Sequence, residues 1–173
     1  MVRSAKESAY LAVFVALVIA AQVVLAVVPG VELVTLMFAT YSFVMGIRRG
    51  IIAAVAFAFL RQTVFGIYPT VLVLYLIYFP FLALCFGLLG KKIKHPLKSL
   101  ILLVAMACIC TAIFTMIDNI LTPLWYGYSE RSARLYFMAS LPFMIPQIIC
   151  TAVTITCLFI PLYKAFCIMK RNM

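Results

Sequence analysis

Hydrophobic positions along the chain fall into six long runs, separated by short polar or turn-forming stretches. The first extends from Ala9 to Val28 and carries no charge and a single amide, Gln22. At helical rise, such a run covers about 30 Å, the thickness of a bilayer's hydrocarbon core. Pro29-Gly30 is a turn signal. The second run, Val31 to Gly46, opens at Glu32 and is followed by a tight basic loop of Arg48, Arg49 and Gly50. The third, Ile51 to Gly66, is rich in Ala and contains Arg61; Gly66 to Pro69 forms the next turn. The fourth, Thr70 to Gly90, has Pro80 inside it as a kink. Lys91 to Lys98 is the most basic loop, and Ser99 to Thr122 is the fifth run. Pro123 to Arg134 is the longest connection. The sixth run, Tyr136 to Tyr163, holds Pro142, Pro146 and Pro161.

The first run has a second pattern. Ala12, Ala16 and Ala20 recur every four residues, with Ala9 close to the same face. Small residues at this spacing leave a flat groove that another helix backbone can approach, which is how helices associate in lipid. Two readings stay open: the stripe packs inside the chain's own bundle, or it docks a separate membrane subunit.

Composition places the runs in a membrane. Of 173 residues, 68% are hydrophobic and 10% charged, too few charges for a soluble domain of this length. The expectation is one all-α integral membrane domain over residues 1–173, with six transmembrane helices in a cell membrane. The first run is too long and uniform for a cleaved signal peptide. The six cysteines, most of them within apolar runs and without a CxxC spacing, read as small buried hydrophobes rather than a disulfide frame or a metal site.

Charge sets the topology. The net charge of +10 would suggest nucleic acid in a soluble protein, but here the bases sit in short loops, where orientation and anionic lipid account for them. With the N-terminus in the cytoplasm, the inner segments carry Arg3, Lys6, Arg48, Arg49, Lys91, Lys92, Lys94, Lys98, Lys164, Lys170 and Arg171, and the outer ones only Arg131 and Arg134. This segregation predicts both termini inside.

The same topology gathers polar and aromatic residues on the outer side. Glu32 opens the second span there, Arg61 and Tyr68 lie at the outer end of the third, and Asp118 and Asn119 at the outer end of the fifth. Trp125, Tyr126 and Tyr128 follow in the last outer loop. An ionisable residue facing lipid costs roughly 2.5 kcal/mol or more, so Arg61 needs a partner, and Glu32 and Asp118 are the candidates. One reading is a structural ion pair with an interfacial aromatic belt. The other is an outward-opening small-molecule site made of Glu32, Arg61, Tyr68, Asp118, Asn119, Trp125, Tyr126 and Tyr128. The inner side has few aromatics, which favours the second. Tyr41, Tyr75 and Tyr78 lie deeper and either line the pocket or pack.

Catalytic signatures are missing from the sequence: no HExxH, paired intramembrane aspartates, GxSxG or Walker A motif. The chain therefore reads as neither an enzyme nor an ATPase, and as having no metal or cofactor.

Six spans in under two hundred residues, both ends inside, and the Ala12-Ala16-Ala20 stripe together resemble the substrate-binding S components of energy-coupling factor (ECF) transporters. The stretch from Pro29 to Gly46 is similar to the second-helix region of a subgroup that includes cobalamin-type members. The resemblance implies a vitamin-type substrate bound in the outer half. It also implies docking of the Ala stripe on a transmembrane coupling subunit, with two cytoplasmic ATPase subunits driving import across a bacterial plasma membrane. The alternatives are a stand-alone secondary or facilitative carrier and a non-transporting assembly subunit.

Overall fold

The computed structural model describes residues 5–26 and 33–172. Glu32 lies outside the described residues. Among the described residues, six helices follow one another: α1 (Ala5–Leu25), α2 (Val34–Met45), α3 (Ile47–Phe65), α4 (Pro69–Lys92), α5 (Leu100–Tyr126) and α6 (Glu130–Asn172).

α2 is the centre of the bundle. Its sequence VTLMFATYSFVM is apolar on every face, the pattern of a helix surrounded by others. Every residue of it except Met37 is buried, and it packs against α3, α4 and α6. An aromatic core forms around it. Phe14 stacks on Tyr41 at 3.9 Å, and Phe38 meets Phe14, Phe57 and Phe79 at 4.8–5.4 Å.

α2 stops at Gly46, whose φ of 87° lies in a region that other residues rarely adopt, and α3 starts at the next residue. This break leaves carbonyls at the end of α2 without helical donors. Lys170 of α6 donates from Nζ to the Val44 carbonyl at 2.6 Å, placing a cation where the helix dipole favours one. Beside it, Arg49 Nε pairs with Glu7 Oε1 at 2.5 Å. The described ends of the first and last helices therefore meet at the α2–α3 junction, at one end of the bundle.

Four helices are long and apolar enough to cross a membrane, and two expected loops are corrected. Of the six helices, α1, α4, α5 and α6 have the length and hydropathy to cross a membrane. α2, at 12 residues, covers only about 18 Å, and α3 carries Arg48, Arg49 and Arg61. Arg48, Arg49 and Gly50 are not a loop but the first turn of α3, because Gly46 makes the reversal alone. Pro123 to Arg134 is mostly helical. α5 continues through Pro123 to Tyr126, Gly127 ends it in the left-handed conformation, and Tyr128 N–H bonds back to the Pro123 carbonyl. α6 resumes at Glu130.

Candidate functional site

At the end of the bundle opposite the Glu7–Arg49 pair, polar groups from α1, α3, α4, α5 and α6 meet a wall of aromatic rings. Tyr75 of α4 is the hub. Its ring lies parallel to Phe57 at 5.8 Å and edge-on to Phe79 at 5.0 Å. Gln22, the lone amide of the first apolar run, donates from Nε2 to the Tyr75 hydroxyl at 3.1 Å. The guanidinium carbon of Arg61 lies 5.0 Å from the Tyr75 ring centre and 4.6 Å from that of Phe65. Among the described residues, Arg61 Nε and Nη1 are buried without a hydrogen-bond partner, as is Gln22 Oε1. Cation–π contact offsets about 0.5–2 kcal/mol of the desolvation of such a group, less than a buried charge normally requires.

Phe114 of α5 stands between this hub and a second feature. It touches Tyr75 at 6.2 Å and Tyr78 at 4.8 Å, and it also lines a cavity of about 340 Å³ between α5 and α6. Asp118, Tyr136, Ser140, Phe143, Met144 and Gln147 complete much of that wall. Asp118 is held by two donors: Tyr136 Oη bonds Oδ2, and Thr122 Oγ1 bonds Oδ1, both at 2.8 Å. Asn119 donates to Ser140 Oγ at 2.8 Å, leaving its own Oδ1 buried without a partner. Deeper down, the Thr111 and Thr151 hydroxyls bridge α5 and α6 at 3.1 Å, the polar contact that holds paired helices together in lipid.

The sequence-predicted site residues thus divide. Arg61 joins the Tyr75 hub, Asp118 lines the α5–α6 cavity, and Asn119 bonds Ser140 of that cavity's wall. Asp118 does not pair with Arg61; each makes the other contacts just described. Tyr68 gives its backbone N–H to Gln62 Oε1 across the α3–α4 turn, while its ring is 54% exposed. Trp125, Tyr126 and Tyr128 are 41–55% exposed at the tip of the α5–α6 hairpin. The tyrosines of that tip stack on one another, and Tyr128 reaches Tyr136 at 6.0 Å. Glu32 lies outside the described residues. Sequence reasoning missed Gln22, Phe114 and Tyr136 as site residues. The signal for Gln22 was its isolation as the only amide in an apolar run. Tyr41, held in reserve as a pocket residue, packs in the core against Phe14 and Phe166.

The Ala stripe of α1 faces away from the bundle. Phe14, Val15 and Val18 are buried, while Ala9, Ala12, Ala16 and Ala20 are exposed, flanked by the exposed Val13 and Leu17. Among the described residues, no other helix covers this stripe.

Comparisons with protein-family models, with curated protein sequences and with solved structures find no match to this chain.

Proposed function

We propose that the chain is the substrate-binding membrane subunit of an ECF-type ATP-driven importer, capturing a vitamin or related micronutrient from outside. The observation that carries this reading is the outward Ala face of α1. A small-residue groove aimed at lipid has no use for the chain alone, because lipid tails gain nothing from a flat surface. A second membrane helix does gain from it. On this reading the chain is not an enzyme, and ATP is spent by cytoplasmic subunits bound to a coupling subunit. The α5–α6 cavity, at about 340 Å³, is at the small end of ligand sites and suits a small micronutrient better than a corrinoid. The test is affinity capture of the tagged chain from its native membrane. Co-purification of a transmembrane subunit with an ATPase pair, and a small molecule retained through purification, is the expected result. Uptake by the chain alone, driven by a proton gradient, would instead identify a stand-alone carrier.

The reading includes an orientation with the basic end inside and the aromatic tip outside, and with six crossings in which the short α2 and the arginine-bearing α3 are shielded by their neighbours. Single-cysteine variants on a cysteine-free background test it. A membrane-impermeant reagent is expected to label position 128 but not position 94 in intact cells. Labelling at position 94 from outside overturns the orientation.

A further inference from the structure

We infer that the Arg61–Gln22–Tyr75 hub receives an anionic group of the substrate, a carboxylate in the first instance. Three observations point there. Among the described residues, the buried donors Arg61 Nε and Nη1 have no acceptor, and Gln22 Oε1, held at the same tyrosine, is a buried acceptor with no donor. Unpaired buried groups of this kind are uncommon in a folded chain unless something else completes them. Second, Asp118 does not pair with Arg61: Tyr136 and Thr122 donate to its carboxylate, which lines the α5–α6 cavity. Third, Arg61 is flanked by the faces of Phe65 and Tyr75, which fix the guanidinium plane and present flat apolar surface beside it. An anion bonded to Arg61, with an O–H or N–H donor directed at Gln22 Oε1 and a flat ring alongside the aromatics, satisfies all three. The substrate class is therefore a small, partly aromatic or unsaturated organic acid.

The inference rests on the chain being a substrate-binding subunit, but it is read on the isolated chain. Failure of subunit capture and failure of anion binding are thus separate results. The probe is sodium benzoate, compared with its neutral analogue benzamide, added to the purified full chain in phosphatidylcholine nanodiscs while thermal unfolding is followed. Benzoate is expected to raise Tm and benzamide is not. In Arg61→Met the apparent benzoate affinity should fall at least about tenfold, as for loss of a charge-assisted bond, and Arg61→Lys should retain part of the response. Ligand-free Arg61→Met should melt at or above the wild-type temperature, since an apolar chain of similar length replaces an unmatched charge.

Three results overturn the inference. Equal responses to benzoate and benzamide, or none to either, remove the anion site. A fall in the ligand-free Tm of Arg61→Met, reproduced by Glu32→Gln, means the guanidinium already has a carboxylate. An Arg61-dependent rise in Tm with phosphatidylglycerol discs alone, and not with benzoate, assigns the guanidinium to a lipid headgroup.

Discussion

Gly90→Ala is expected to lower the melting temperature of the purified chain by roughly 4–8 °C. α4 passes the end of α2 so closely that a Cβ on Gly90 would fall within van der Waals contact of the Phe43 carbonyl oxygen and 2.9 Å from its carbon. Two effects compete. Alanine is a better helix former than glycine by about 1 kcal/mol, which favours the substitution. Overpacking costs about 1–3 kcal/mol, and the upper end applies because the obstacle is backbone rather than a movable side chain. The clash wins by about 2 kcal/mol. Gly87, one turn earlier, sits equally close to Ile47, with its backbone nitrogen 2.9 Å from an added Cβ. The control is Leu88→Ala, on the 44% exposed face between the two glycines, which should melt near the wild type. Wild-type stability in Gly90→Ala would mean that α2 and α4 are not in this contact.

The double variant Ala16→Leu, Ala20→Leu should abolish uptake in cells while leaving ligand binding and Tm of the isolated chain almost unchanged. Both alanines are exposed on α1, so added methyl groups meet nothing within the chain. At a subunit contact they fill the groove. Two overpacked positions at about 2 kcal/mol each weaken association by about a thousandfold. Uptake and subunit capture are the measurements, with Tm as the folding control. Uptake at wild-type level would assign the stripe to lipid contact and remove the main support for the importer reading. A large loss of Tm would mean instead that the stripe packs within the fold.

Much of this architecture was legible from the order of apolar runs, because each run long enough to bury itself became one helix. The breaks were harder to place. Arg48 and Arg49 read as a loop since two adjacent cations usually face water, yet a single glycine at position 46 completes the reversal and leaves both on α3. Pro123 read as the start of a loop, but a proline within a helix in lipid is tolerated when neighbours take up its freed carbonyl partners. At the site, residue chemistry marked Arg61, Asp118 and Asn119, whose polarity is conspicuous in an apolar stretch. It did not show which of them would meet. That depends on how far α5 rotates relative to α3, and the rotation is set by Phe114 packing against Tyr75 and Tyr78. Trp125, Tyr126 and Tyr128 stand exposed at the hairpin tip, apart from the Tyr75 hub.

The length of α6 decides how a ligand arrives. Its 43 residues span about 65 Å, twice the hydrocarbon core. On the proposed orientation, with Lys164 at the inner boundary, about 30 Å of helix reaches Met144. The helix beyond that, with Ser140, Tyr136 and the partner segment of α5 around Asp118, then stands at headgroup height. On that orientation the α5–α6 cavity, lined by those residues, lies in the hydrated layer. A water-soluble solute can diffuse along the headgroups and enter laterally, without an axial channel from above and without first dissolving in oil.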